Sequence, residues 1–116
     1  MRDLALQLAG VLAIVVSLIH GVVGERVVFA NTIIEPPRMR LLIRLVWQAG
    51  TVAWIGGGIL FIVAAWMFPD PARRATILVF VVIYAAGALG NAWATGGRHI
   101  GWMALAVVVA LALAGL

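Results

Sequence analysis

The chain has no cysteine and no lysine, and among its 116 residues there are only four acidic side chains and one tyrosine. Without cysteine it has no disulfides, thiolate metal sites, cysteine nucleophile or c-type haem attachment, and cysteine usage carries no information on redox compartment. Charged residues make up 10% and hydrophobic residues 66%, so a soluble globular reading fails. The formal net charge is +4, but the solvated basic surface that nucleic-acid binding needs is missing, so no nucleic-acid partner is expected. Every basic residue is arginine, which stays charged in any environment and suits anionic headgroups and ion pairs near a membrane surface.

What the chain does have is long apolar stretches separated by strong punctuation. Pro36-Pro37, Pro69-Asp70-Pro71 and Gly96-Gly97 are turn signals. They leave segments at about 4–29, 41–67, 75–93 and 100–116, each close to the length of a membrane span, the last barely so. The predicted fold is all-α, a four-transmembrane-helix up-and-down bundle forming a single integral membrane domain over residues 1–116. Met1-Arg2-Asp3 followed by apolar residues resembles a signal peptide with Val28-Phe29-Ala30 as its cleavage site. His20, Glu25 and Arg26 would make its final region too long and too charged, so the segment reads as a retained first helix.

Polar residues are distributed unevenly over this bundle. On the first helix Gly10, Ala13, Ser17, Gly21 and Gly24 form one stripe of small residues, with His20 on one flank and Glu25 on the other. Arg40, Arg44, Trp47, Gln48, Thr51, Trp54 and Gly58 share a face of the second helix, and Tyr84, Gly87, Ala88 and Asn91 a face of the third. Because helix directions alternate, His20, Glu25, Arg44, Gln48, Asn91 and His99 all fall near one end. Ionisable side chains at membrane depth are costly, and a role in function is the default reading. These residues are therefore the candidates for one pocket binding an ion, a proton or a small polar solute.

Glu25 has two readings at this stage: a ligand or proton group, or half of an ion pair that clamps the first two helices. His20, Glu25 and His99 match a common metal set of two histidines and a carboxylate, although helix-encoded pairs such as His-x-x-x-His or Glu-x-x-His are missing. Haem between the spans would need His20 and His99 to converge in height as axial ligands. No cofactor is otherwise specified. Nor does any nucleophile sit beside an oriented base, which leaves an enzyme acting on a lipid or quinone, with Glu25 or His20 as base, as the weakest alternative.

In length, and in carrying a membrane glutamate, the chain is similar to small multidrug transporters, whose glutamate lies mid-helix whereas Glu25 lies near a helix end. It is similar in size to the dual-topology fluoride channels, without their asparagine-bearing glycine motif. His20-Gly21-Val22-Val23-Gly24-Glu25-Arg26, then Arg44-Leu45-Val46-Trp47-Gln48 and Gly97-Arg98-His99-Ile100-Gly101-Trp102, resemble a set of small bacterial four-helix membrane proteins of unassigned function. That resemblance implies a four-helix fold in a bacterial inner membrane. The expected partners are the lipid bilayer and either further copies of the chain or a larger membrane complex, in which the protein would serve as an accessory subunit. Arginines are nearly balanced between the two ends, so they set no firm orientation.

Overall fold

The computed structural model describes residues 1–116 and is helical apart from short connections. The first helix, α1, covers Arg2–Asn31 and loosens into one π-type turn over Gly24–Val28. The second, α2, covers Pro37–Met67, and the third, α3, covers Asp70–Thr95. Both begin several residues earlier than the breaker pattern predicts. A proline in the first turn gives up an N–H that has no partner there in any case, so Pro37 and Pro71 open these helices rather than exclude themselves from them. At the other end of α3, Gly96 adopts the left-handed conformation (φ 59°) and its amide reaches the carbonyls of Ala92 and Trp93, which stops the helix.

The fourth helix, α4, covers Gly101–Ala114. Its 14 residues extend roughly 21 Å at 1.5 Å per residue, short of the ~30 Å hydrocarbon core of a bilayer. Three helices are thus long and apolar enough to cross a membrane, and the fourth, expected over about 100–116, is a shorter apolar helix packed beside them. Going round the bundle, α1 touches α2, α2 touches α3, α3 touches α4 and α4 touches α1.

The ends are tied by charges. The Arg73 guanidinium is buried; its Nε and Nη2 donate to the Gly115 carbonyl at 3.1 and 2.9 Å, and its Nη1 donates to Asp3. Arg2 and Asp70 approach to 3.5 Å nearby. The starts of α1 and α3 and the end of α4 therefore meet at one end, as alternating helix directions require. In the middle, Leu6, Phe61, Ile77, Tyr84 and Val108 fill the interior, and the Tyr84 hydroxyl donates to the Trp54 carbonyl at 2.6 Å. Leucine, valine and isoleucine cover much of the outside, a surface suited to acyl chains.

The tightest seam lies between α1 and α2. A Cβ placed on Gly10 would stand 2.5 Å from the Gly58 carbonyl oxygen, and one on Gly58 would stand 2.7 Å from that of Gly10. The small-residue stripe of α1 is buried along its whole length, through Gly10, Ala13, Ser17, Gly21 and Gly24. Backbone approach of this kind drives helix association where the solvent is itself apolar. Gly10→Ala should accordingly lower unfolding stability by about 1–3 kcal/mol through overpacking. Gly56→Ala, on the same helix as Gly58 but facing open space, should be neutral or raise stability by up to about 1 kcal/mol through helix propensity. Unfolding titrations in mixed micelles check both; equal effects of the two changes would mean that the seam is not close-packed.

Candidate functional site at the loop end of the bundle

His20 and Glu25 are five residues apart, which turns them about 140° from one another around an α-helical axis. The buried stripe lies between them, and α2 packs onto that stripe. As a result the predicted single pocket divides into two places, one on each side of the α1–α2 seam.

On one side Glu25 is held by α2. Arg44 Nε donates to Glu25 Oε1 at 3.0 Å, and Arg44 Nη2 lies 2.6 Å from Oε2, a two-pronged ion pair. Gln48 Nε2 donates to the same Oε1 at 2.8 Å and to the Gly21 carbonyl at 3.1 Å. Both carboxylate oxygens are occupied by protein donors. The shallow groove beside them, walled by Leu18, Gly21, Val22, Arg26 and Thr51, is open to the outside. Of the two readings of Glu25, the geometry is that of a clamp between α1 and α2. Just beyond it, Arg40 donates to the Phe29 carbonyl, which follows the π-turn.

On the other side His20 faces the interior. Its imidazole stacks on the Trp47 indole, with centroids 4.2 Å apart and planes 3° from parallel, and lies 4.9 Å from the Trp54 ring. Trp47 Nε1 donates to the His20 carbonyl at 3.0 Å, and its ring occupies the space left by the missing side chain of Gly24. Trp47 is thus fixed at both ends and forms the partition between His20 and the Glu25 clamp.

Behind this aromatic wall is a cavity of about 550 Å³, within the range of small-molecule sites. Its lining is mainly apolar, from Val16, Ile19, Val23 and Leu105 among others, and it includes Asn91, Thr95 and His99. Asn91 Oδ1 is buried and has no hydrogen-bond partner. The Thr95 hydroxyl is committed to the Asn91 backbone carbonyl at 2.8 Å. His99 is exposed, and its Nδ1 accepts the Gly101 amide at 3.0 Å at the start of α4.

Glu25, Arg44 and Gln48 come together as one cluster, while His20, Asn91 and His99 line the cavity. His20, Glu25 and His99 do not assemble into a group able to hold a metal ion. The physical reason is the α1–α2 seam that separates the carboxylate from the two imidazoles. Sequence reasoning missed Trp47 as the dividing wall and Thr95 as a lining residue. It also missed the Asp3–Arg73 tie at the far end. Opposite charges in the first turns of two helices that start on the same side were the available signal for that pair. No family model, curated protein or solved structure matches this chain.

Two substitutions separate the halves of this site. Glu25→Gln should lower the thermal midpoint, Arg44→Met should lower it similarly, and the double variant should lose less than the two losses added, because both remove the same pair. Additive losses would show that the pair is not coupled. By contrast, Asn91→Leu removes a buried polar atom that makes no bond, and should raise unfolding stability by roughly 1–3 kcal/mol in ligand-free protein. A loss of stability would mean that the asparagine oxygen is satisfied in the folded protein.

Proposed function

We propose that the protein binds a small solute in the cavity between His20, Trp47, Trp54 and Asn91, from within a bacterial inner membrane. The observation that carries this reading is a mainly apolar cavity of about 550 Å³ walled by the stacked His20 and Trp47 rings, the Trp54 ring and the Asn91 side chain. Burial of the histidine against two indoles adds a shaped aromatic surface, which a space-filling interior would not require.

The expectation of an ion or proton site built on Glu25 has less support, since Arg44 and Gln48 already occupy its oxygens. Binding is favoured over conduction because Phe61, Tyr84 and Ile77 fill the bundle beyond Trp54 and leave no polar path. The bilayer is the surrounding partner in this reading, and Glu25, Arg44 and Gln48 serve to hold the α1–α2 wall of the site in place.

Native mass spectrometry of the protein released from its membrane tests the proposal. A small-molecule adduct should accompany the wild type and a lipid-face control, Leu45→Phe. It should be lost from Val23→Phe, which adds bulk to the cavity wall. The same adduct on all three proteins would assign it to the outer surface, and adduct-free wild type would reject cavity binding.

A further inference from the structure

The groups in the cavity wall restrict what it can hold. None of its lining residues is aspartate, glutamate or arginine; the only ionisable side chains among them are His20 and His99. Glu25 and Arg44, the charged pair of this end, neutralise one another across the seam. An ion would be desolvated in the cavity without a counter-charge, so the occupant is neutral. Its route is apolar too. Ile19 and Val27 line the cavity and are 57% and 55% exposed on α1, so the rim opens onto the surface that meets acyl chains.

The unbonded polar groups of the wall are mostly donors. Asn91 Oδ1 is shut off from the cavity, and the side of the carboxamide left to face it is Nδ2, which makes no hydrogen bond. That nitrogen stands at the corner where α4 begins, since a Cβ on Gly101 would lie 3.4 Å from it. His99 Nδ1 accepts the Gly101 amide, so the neutral ring carries its proton on Nε2, a further donor. The His20 nitrogens make no hydrogen bond, and a neutral imidazole offers one N–H and one acceptor in either tautomer. Trp54 Nε1–H is likewise unbonded, whereas the Trp47 N–H and the Thr95 O–H are taken by the His20 and Asn91 carbonyls. Against these donors stand only the second His20 nitrogen and the Thr95 oxygen, so the occupant that fits brings acceptors. Two of the donor groups lie on opposite walls: His20 belongs to α1 and Asn91 to α3, which are diagonal to one another in the bundle.

Resting on the binding reading above, we propose that the cavity takes a neutral, lipid-soluble molecule of the quinone class, one carbonyl accepting from Asn91 Nδ2–H and the opposite carbonyl turned toward the His20 imidazole. A carbonyl at each end of a flat ring matches donors on two opposed walls. The Trp54 indole, tilted 40° to the His20 ring, gives that flat ring an aromatic surface at stacking or edge distance. The apolar rim at Ile19 and Val27 lets an apolar tail pass into the bilayer, and the absence of formal charge in the lining rejects ionised analogues of the same shape.

Three probes of one shape test the proposal on the full chain in lipid nanodiscs, with affinity referred to probe dissolved in the lipid: duroquinone, hexamethylbenzene, in which methyl groups replace the carbonyl oxygens, and the anion pentamethylbenzoate. Wild type should bind duroquinone more tightly than the hydrocarbon and should not bind the anion. In Asn91→Leu the ratio of quinone to hydrocarbon affinity should fall about 3- to 10-fold, the difference that one neutral hydrogen bond makes. Hydrocarbon binding should be kept, which also shows that the variant is folded. As a second measurement, the infrared carbonyl stretch of bound duroquinone should lie at lower wavenumber than that of the lipid-dissolved probe, and Asn91→Leu should lose part of that shift. An unchanged ratio in the variant, an unshifted stretch or tighter binding of the anion would overturn the quinone assignment while leaving cavity binding intact. Failure of both neutral probes to bind wild type, or equal binding of them by Val23→Phe, would overturn both.

Discussion

The close approach of α1 and α2 is the constraint on which the rest of the structure depends. It exists because Gly10 and Gly58 face each other without side chains, each standing where the other's Cβ would be. Farther along the same seam Gly21 admits Thr51 and Gln48, and Gly24 admits the Trp47 indole. A larger residue at any of these positions would push the helices apart at the height of the polar groups. With the helices at this spacing, Trp47 can bond the His20 carbonyl, Gln48 can bond the Gly21 carbonyl, and Arg44 can reach Glu25. Packing of small residues and polar capping across the seam are thus one feature, since the hydrogen bonds are available only at the distance that the glycines allow.

Once that seam is in place, the polar residues of the loop end are divided by it. Charge is resolved outside, where Glu25, Arg44 and Gln48 satisfy each other in a half-exposed groove. Inside there remain an imidazole, two indoles and the Asn91 side chain. The short α4 contributes to the cavity by supplying only Gly101 and Leu105 to its wall, and glycines at 87 and 90 of α3 leave further room. The far end is different in kind. There the Arg73 guanidinium is surrounded by acceptors from Asp3 and Gly115 and leaves no cavity, so it acts as a tie among three helices.

Much of this was legible in the sequence through periodicity. The apolar segments and their turn signals specify helices, and the spacing of Gly10, Ala13, Ser17, Gly21 and Gly24 marks the buried face of α1, because residues three and four apart share a face at 3.6 residues per turn. The same arithmetic puts His20 and Glu25 on opposite flanks of that face. Alternating helix directions then collect the polar residues at one end. Helix starts were less legible, because proline terminates a helix in its interior but is tolerated in its first turn, so Pro37 and Pro71 read as breakers and serve as openers.

The sequence by itself determined that the chain is helical, that its apolar segments are of roughly membrane-spanning length, and which face of α1 is buried. These follow from local composition and spacing, which do not depend on what lies across the bundle. Only the tertiary structure decided that the two flanks of the stripe lead to separate environments, that Trp47 is the partition, and that Asn91 Oδ1 lacks a partner. Whether two flanking residues share a pocket depends on the rotation and separation of the neighbouring helix. Those are set by side-chain packing between segments distant in the chain, which no single helix's periodicity encodes.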